Sequence, residues 1–150
     1  MDIRIIEFIS ENMQSPLLDQ IMPVISRMGN GGLVWIVIAA LLMTCRKYRT
    51  AGLMMICAVA LGAVLGEVFL PSGHATSSFA AAGTVLRTVD RWLIKVPVLL
   101  LACAVAFSRV YLFVHYPSDI LGGMLLGLLS AYAVYRLFLR GRNTAGSKTP

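Results

Sequence analysis

Long apolar stretches interrupted by short polar marks set the pattern of this chain. Residues 31–45, 51–70, 75–89, 96–110 and 120–139 are dominated by apolar side chains, and charged residues, glycine or proline bound each of them. Counted from Met28, the first covers about 18 residues, which at about 1.5 Å of rise per residue gives roughly 27 Å, just enough to cross a bilayer core. Five such stretches predict five transmembrane helices. Ahead of them, Ile6, Ile9, Met13 and Leu17 recur at spacings of three and four among Asp2, Glu7, Glu11 and Asp19. That is the pattern of an amphipathic helix, lying at the lipid interface or packed on the bundle. The expected fold is therefore an all-α integral membrane helical bundle of about five transmembrane helices preceded by an amphipathic interfacial helix. The expected organisation is an interfacial N-terminal segment over 1–28, a transmembrane domain over 29–140, and a polar, disordered tail over 141–150. The acidic N-terminus lacks the basic region of a cleaved signal peptide.

Composition supports lipid as the solvent. The chain of 150 residues is 58% hydrophobic and 13% charged, against about 25% charged in soluble domains. The net charge of +6 matters less than its placement. Basic residues cluster at Arg46, Lys47 and Arg49, at Arg87, Arg91 and Lys95, and at Arg136, Arg140, Arg142 and Lys148. Nucleic-acid binding needs one contiguous basic face, so no nucleic-acid partner is expected. Clusters separated by membrane-length runs follow the positive-inside rule instead. With five spans, all three fall on the cytoplasmic side, which also places the C-terminus there. Cys45, Cys57 and Cys103 lie in or at the end of apolar runs without metal-ligand spacing, so they are expected as small buried hydrophobes. Gly62 and Gly66 on the second span, and Gly123 and Gly127 on the fifth, form small-residue faces suited to close helix contact, including contact between copies of the chain. Glu67 is expected to face headgroups or a polar cavity.

The same parity brings two polar marks together on the opposite side. One is Pro71-Ser72-Gly73-His74; the other runs from Ser108 and Arg109 to His115, Pro117, Ser118 and Asp119. Both precede a helix running inward, and helix N-termini offer unpaired N–H groups and partial positive charge to an anion. A guanidinium such as Arg109 can donate two parallel hydrogen bonds to a phosphoryl group. Asp119 lies four residues after His115, where a carboxylate can fix the tautomer of an imidazole nucleophile. His74 would then protonate a leaving oxygen. Each residue alone has a plainer reading: a surface histidine, a headgroup anchor at Arg109, a helix cap at Asp119, a helix end at Ser108. The combination points to a phosphate site without metal, since neither histidine has further ligands at metal spacing.

Pro71-Ser72-Gly73-His74, with Ser108-Arg109, five residues, His115, three residues and Asp119, resembles the second and third signature motifs of the type 2 phosphatidic acid phosphatase superfamily (PAP2). The resemblance covers about residues 29–139. It implies a metal-independent membrane hydrolase acting on lipid phosphates or diphosphates, of the phosphatidic acid, phosphatidylglycerol phosphate or undecaprenyl diphosphate class. It implies no cofactor, a site on the extracytoplasmic face of the bacterial inner membrane, and membrane lipids as surroundings. It implies His115 as the nucleophile that becomes phosphohistidine, Asp119 as its orienting partner and His74 as the acid. Arg109, Ser72, Gly73 and Ser108 would hold the phosphoryl group. The family's first motif, a lysine, six residues and Arg-Pro upstream of Pro-Ser-Gly-His, has no counterpart: no Lys or Arg occurs between Arg49 and Arg87. The alternative expectation is a catalytically silent member of this fold that binds anionic lipid headgroups. A small transporter is disfavoured by the absence of an inverted repeat.

Overall fold

The computed structural model describes residues 2–69 and 72–146, without the side chains of Glu67, Phe69 and 142–146. The expectation for Glu67, and Pro71 of the first polar mark, therefore lie outside the described residues. The chain forms α1 (Asp2–Asn12), α2 (Pro16–Met28), a 3₁₀ turn (Asn30–Gly32), α3 (Leu33–Thr44), α4 (Arg49–Phe69), α5 (Gly73–Thr88), α6 (Trp92–Tyr111) and α7 (Pro117–Gly146). It is an all-α membrane bundle. The tail expected from residue 141 is helical through Gly146.

Among the described residues, three helices are long and apolar enough to cross a bilayer: α4 through Arg49–Gly66, α6, and α7 through Pro117–Gly141. The first expected span needs correction. With 12 residues, α3 reaches only about 18 Å. It passes a membrane-span test only together with α2, through a 52° bend at the 3₁₀ turn. Gly31 and Gly32 make that bend with φ of +59° and +69°, a left-handed backbone that L side chains adopt at a cost.

The third expected span is also short, with 16 residues in α5. Its sequence is rich in alanine and hydroxyls, and every residue from Ala75 to Val85 is buried. Protein surrounds it, since α4, α6 and α7 all pack against it. Thr76, Thr84 and Thr88 donate their hydroxyls to the carbonyls of Ser72, Ala80 and Thr84, so these side chains need no water. The glycine faces allow this packing. A Cβ on Gly127 would lie 2.4 Å from the Thr76 carbonyl oxygen, and one on Gly62 would lie 3.2 Å from Thr76 Cγ2. The small-residue faces of α4 and α7 are therefore covered by the chain's own α5.

The N-terminal segment is two helices packed on the bundle. Ile9 and Met22 are buried in a cluster with Val110, Tyr111 and Ile120. The Tyr111 hydroxyl donates to Asp19 at 2.6 Å and accepts from the Ser15 N–H. Cys45 and Cys103 are exposed on the outside of the bundle, contrary to the expectation of burial. At one end of the bundle the Lys47 ammonium and the Tyr48 hydroxyl both bond Asp90. This joins the α3–α4 turn to the α5–α6 loop.

Candidate active site

The far end of the bundle holds a cavity of about 370 Å³ whose walls include Gly29, Gly73, His74, Ser77, Arg109 and His115. Residues distant along the chain meet there because three elements end or begin at the same level. α5 starts at Gly73, α6 carries Arg109 in its last turn, and the α6–α7 loop carries His115. Both histidines thus face one space, as the parity of the spans requires.

The start of α5 is left open. Ser72 occupies the N-cap position, but its side chain makes no capping bond. Its Oγ is buried without a partner. The first N–H groups of a helix have no intrahelical acceptor, so this end retains hydrogen-bond capacity one residue from the cavity wall. Arg109 is held by one edge: Nη1 donates to Ser26 Oγ at 2.8 Å. Its Nε is buried and unpartnered.

The start of α7 differs from expectation. Asp119 accepts from the Tyr116 N–H at 3.1 Å, reaching back over the first turn as the acid of a capping box does. Ser118 donates to Asp2. Two carboxylates therefore already occupy this helix end, so of the two helix ends expected to take an anion the start of α5 is the one left open. The Asp119 carboxylate also lies 3.9 Å from His115 Nδ1, an electrostatic contact too long for a hydrogen bond. Asp119 is a cap and a neighbour of His115 at once. Ser108 is buried, donates to the Val105 carbonyl at 2.7 Å, and does not line the cavity.

Burial lowers the His115 pKa below the ordinary imidazole value; the positive charge of Arg109 lowers it further, and Asp119 opposes them. The ring is neutral at pH 7, the form a nucleophile requires.

Sequence reasoning missed Ser26 and Asn30. Asn30 Oδ1 lies 2.8 Å from His74 Nε2. The only available signal was the turn sequence Gly29-Asn30-Gly31-Gly32 itself.

Residues 61–142 match the PAP2 superfamily model. An undecaprenyl-diphosphatase from Sulfolobus acidocaldarius is 31% identical over 121 aligned positions, which take in 63% of this chain and 58% of that protein. The aligned positions outnumber the residues of this chain within them, so the relative carries residues there that have no counterpart here. A decaprenylphosphoryl-5-phosphoribose phosphatase from Mycobacterium tuberculosis is 43% identical over 61 residues, 41% of this chain and 32% of the relative. The chain thus spans little more than half the length of the first of these proteins. The crystal structure of Aquifex aeolicus LpxE shares the fold with a TM-score of 0.79 at 21% identity, covering 90% of this chain and 94% of that one. The crystal structure of a transmembrane PAP2-type phosphatidylglycerolphosphate phosphatase from Bacillus subtilis gives a TM-score of 0.65 at 26% identity, covering 85% and 79%.

Proposed function

The chain belongs to the PAP2 superfamily, and from that premise we propose that it hydrolyses a lipid phosphate or diphosphate through a phosphohistidine intermediate. The observation that carries this reading is the cavity shared by His74, Arg109 and His115, with Ser72 Oγ and Arg109 Nε left as unpartnered buried polar atoms. Such atoms are costly unless a ligand or water satisfies them. A tetrahedral phosphoryl group supplies the acceptors.

In this reading the anion sits against the start of α5, held by Arg109, Ser72 and the Gly73 N–H. Neutral His115 attacks phosphorus, and the bond from phosphorus to the leaving oxygen breaks. His74 gives that oxygen its proton. Asp119, 3.9 Å from Nδ1, stabilises the ring as positive charge develops on it. Water then gives a proton back to His74 and attacks the phosphohistidine, releasing phosphate and returning both histidines to their starting forms. Ser108 has no direct role, because its hydroxyl is bonded within α6. The site faces the extracytoplasmic side of the plasma membrane, opposite the basic clusters. The polyprenyl diphosphate and polyprenyl phosphate names of the relatives support a long-chain lipid substrate.

The test is phosphate release from undecaprenyl diphosphate and phosphatidylglycerol phosphate by the purified chain in detergent with chelator present. An alkaline denaturing quench during turnover should trap phosphate on His115, because the P–N bond of phosphohistidine survives base and hydrolyses in acid. Turnover without any trapped histidine adduct would refute the proposed route.

A second reading, a silent headgroup binder, has its own observation. Arg109 is the one cation among the described residues lining the cavity, where the family pattern adds a lysine and an arginine. Each missing donor to a developing charge costs about 3 kcal/mol, roughly a hundredfold in rate. Headgroup binding without turnover would decide for this reading.

A further inference from the structure

The matched family segment begins at residue 61, yet two side chains that grip the site come from well before it. Ser26, buried in the last turns of α2, accepts from Arg109 Nη1 at 2.8 Å. Asn30, in the 3₁₀ turn, sets Oδ1 2.8 Å from His74 Nε2. The two lie four residues apart on either side of Gly29. That glycine is what lets the segment close on α5 and α6, since a Cβ there would lie 2.8 Å from His74 Cδ2 and 2.6 Å from Val105 Cγ1. The 52° bend just beyond it then carries α3 away.

We propose that Ser26 and Asn30 are positioning residues for phosphoryl transfer, Asn30 acting through His74 and Ser26 through Arg109. This rests on the phosphatase reading above. An amide oxygen can only accept, so the Asn30 contact favours a proton on Nε2 of the neutral His74 ring, which also faces the Ser26 backbone carbonyl as a second acceptor. An acid that delivers one proton per turnover works best from one ring orientation. Asn30 holds that orientation; when the ring takes up a second proton it is the imidazolium that gives one proton to the leaving oxygen and returns to the neutral form. Ser26 fixes one edge of the Arg109 guanidinium and leaves Nε free for the anion. Donors fixed in advance stabilise developing charge without reorganising, and that counts for more in a cavity with a single cation. The charged or titratable groups facing His74 are Arg109 from α6 and His115 from the α6–α7 loop. No carboxylate among the described cavity residues competes with Asn30 for the ring.

The experiment uses the full chain in detergent with ¹⁵N-labelled histidine. The chain has two histidines, so His115→Asn assigns the His74 signals. The wild type should show the Nε2-protonated tautomer, and Asn30→Ala a mixture of tautomers. Asn30→Asp should raise the His74 pKa by about one unit or more, as an adjacent opposite charge does. During lipid phosphate hydrolysis, Asn30→Asp should move the alkaline limb of kcat upward in pH. Ser26→Ala should raise KM roughly tenfold, the scale of one hydrogen bond to a charged group, and Ser26→Thr should restore it. Arg27→Ala, exposed on the same helix end and away from the cavity, should change neither. An unchanged His74 tautomer and pKa in both Asn30 variants would overturn its role. A wild-type KM in Ser26→Ala would overturn that of Ser26. If the wild type hydrolyses no lipid phosphate, the phosphatase reading falls. The histidine spectra then still decide for or against Asn30, and the affinity for inorganic phosphate decides for or against Ser26.

Discussion

The two ends of the bundle are built on opposite electrostatic principles. At the end carrying the α3–α4 turn and the α5–α6 loop, charges are paired: Asp90 takes both the Lys47 ammonium and the Tyr48 hydroxyl, which hold its pKa down to about 2. At the other end a guanidinium and two imidazoles share a cavity with no carboxylate among the described residues of its wall, and Ser72 Oγ and Arg109 Nε stay without partners. A chain that folded for stability alone would satisfy both ends. Leaving one unsatisfied is the mark of a place where a ligand completes the structure.

This contrast can be broken most sharply at His115. His115→Ala should reduce phosphate release by about 10⁴-fold or more, the scale of nucleophile deletions, while the thermal midpoint in detergent stays near that of the wild type. Arg109→Ala should follow, with a loss of about 3 kcal/mol of transition-state stabilisation, roughly a hundredfold in kcat. Arg109→Lys should recover only part of it, because an ammonium cannot donate two parallel bonds. A smaller effect concerns pH. The folded His115 pKa lies below the ordinary value, so the acid limb of kcat/KM should fall below pH 6.5,. Asp119→Asn should lower it further by removing the opposing charge. Between pH 6.5 and the folded value the unfolded chain binds more protons at this residue, so its contribution to stability diminishes as pH falls through that window. The smallest effect belongs to the paired end. Asp90→Asn should leave kcat and KM unaltered and shift the melting temperature little, since exposed ion pairs contribute little. The Asp90 bonds should persist above its ordinary carboxylate range and weaken only as pH falls toward about 2.

His74, Arg109 and His115 could be read from the sequence because a polar side chain between apolar runs needs a reason to be there. The parity of the spans then put them on one side. Ser26 and Asn30 could not be found that way. Their roles depend on the bend between α2 and α3, which the apolar pattern of 31–45 conceals by resembling one straight span. Asp119 shows a different limit. Its spacing from His115 suits an orienting carboxylate and equally a capping acid, and the structure gives it the capping bond together with a longer approach to the ring. The glycine rows announced close packing without naming the partner, because a row of glycines on α4 or α7 accepts any helix small enough to approach. Here the partner is α5.

The burial of α5 bears on how the protein is made. Its alanine- and hydroxyl-rich sequence gives a translocation channel little reason to release it sideways into lipid on its own. Its neighbours α4 and α7 offer the surface that lipid does not. Insertion of this segment is thus a cooperative event, complete only once α7 has been synthesised, and a ribosome stalled before α7 would leave the cavity end unassembled.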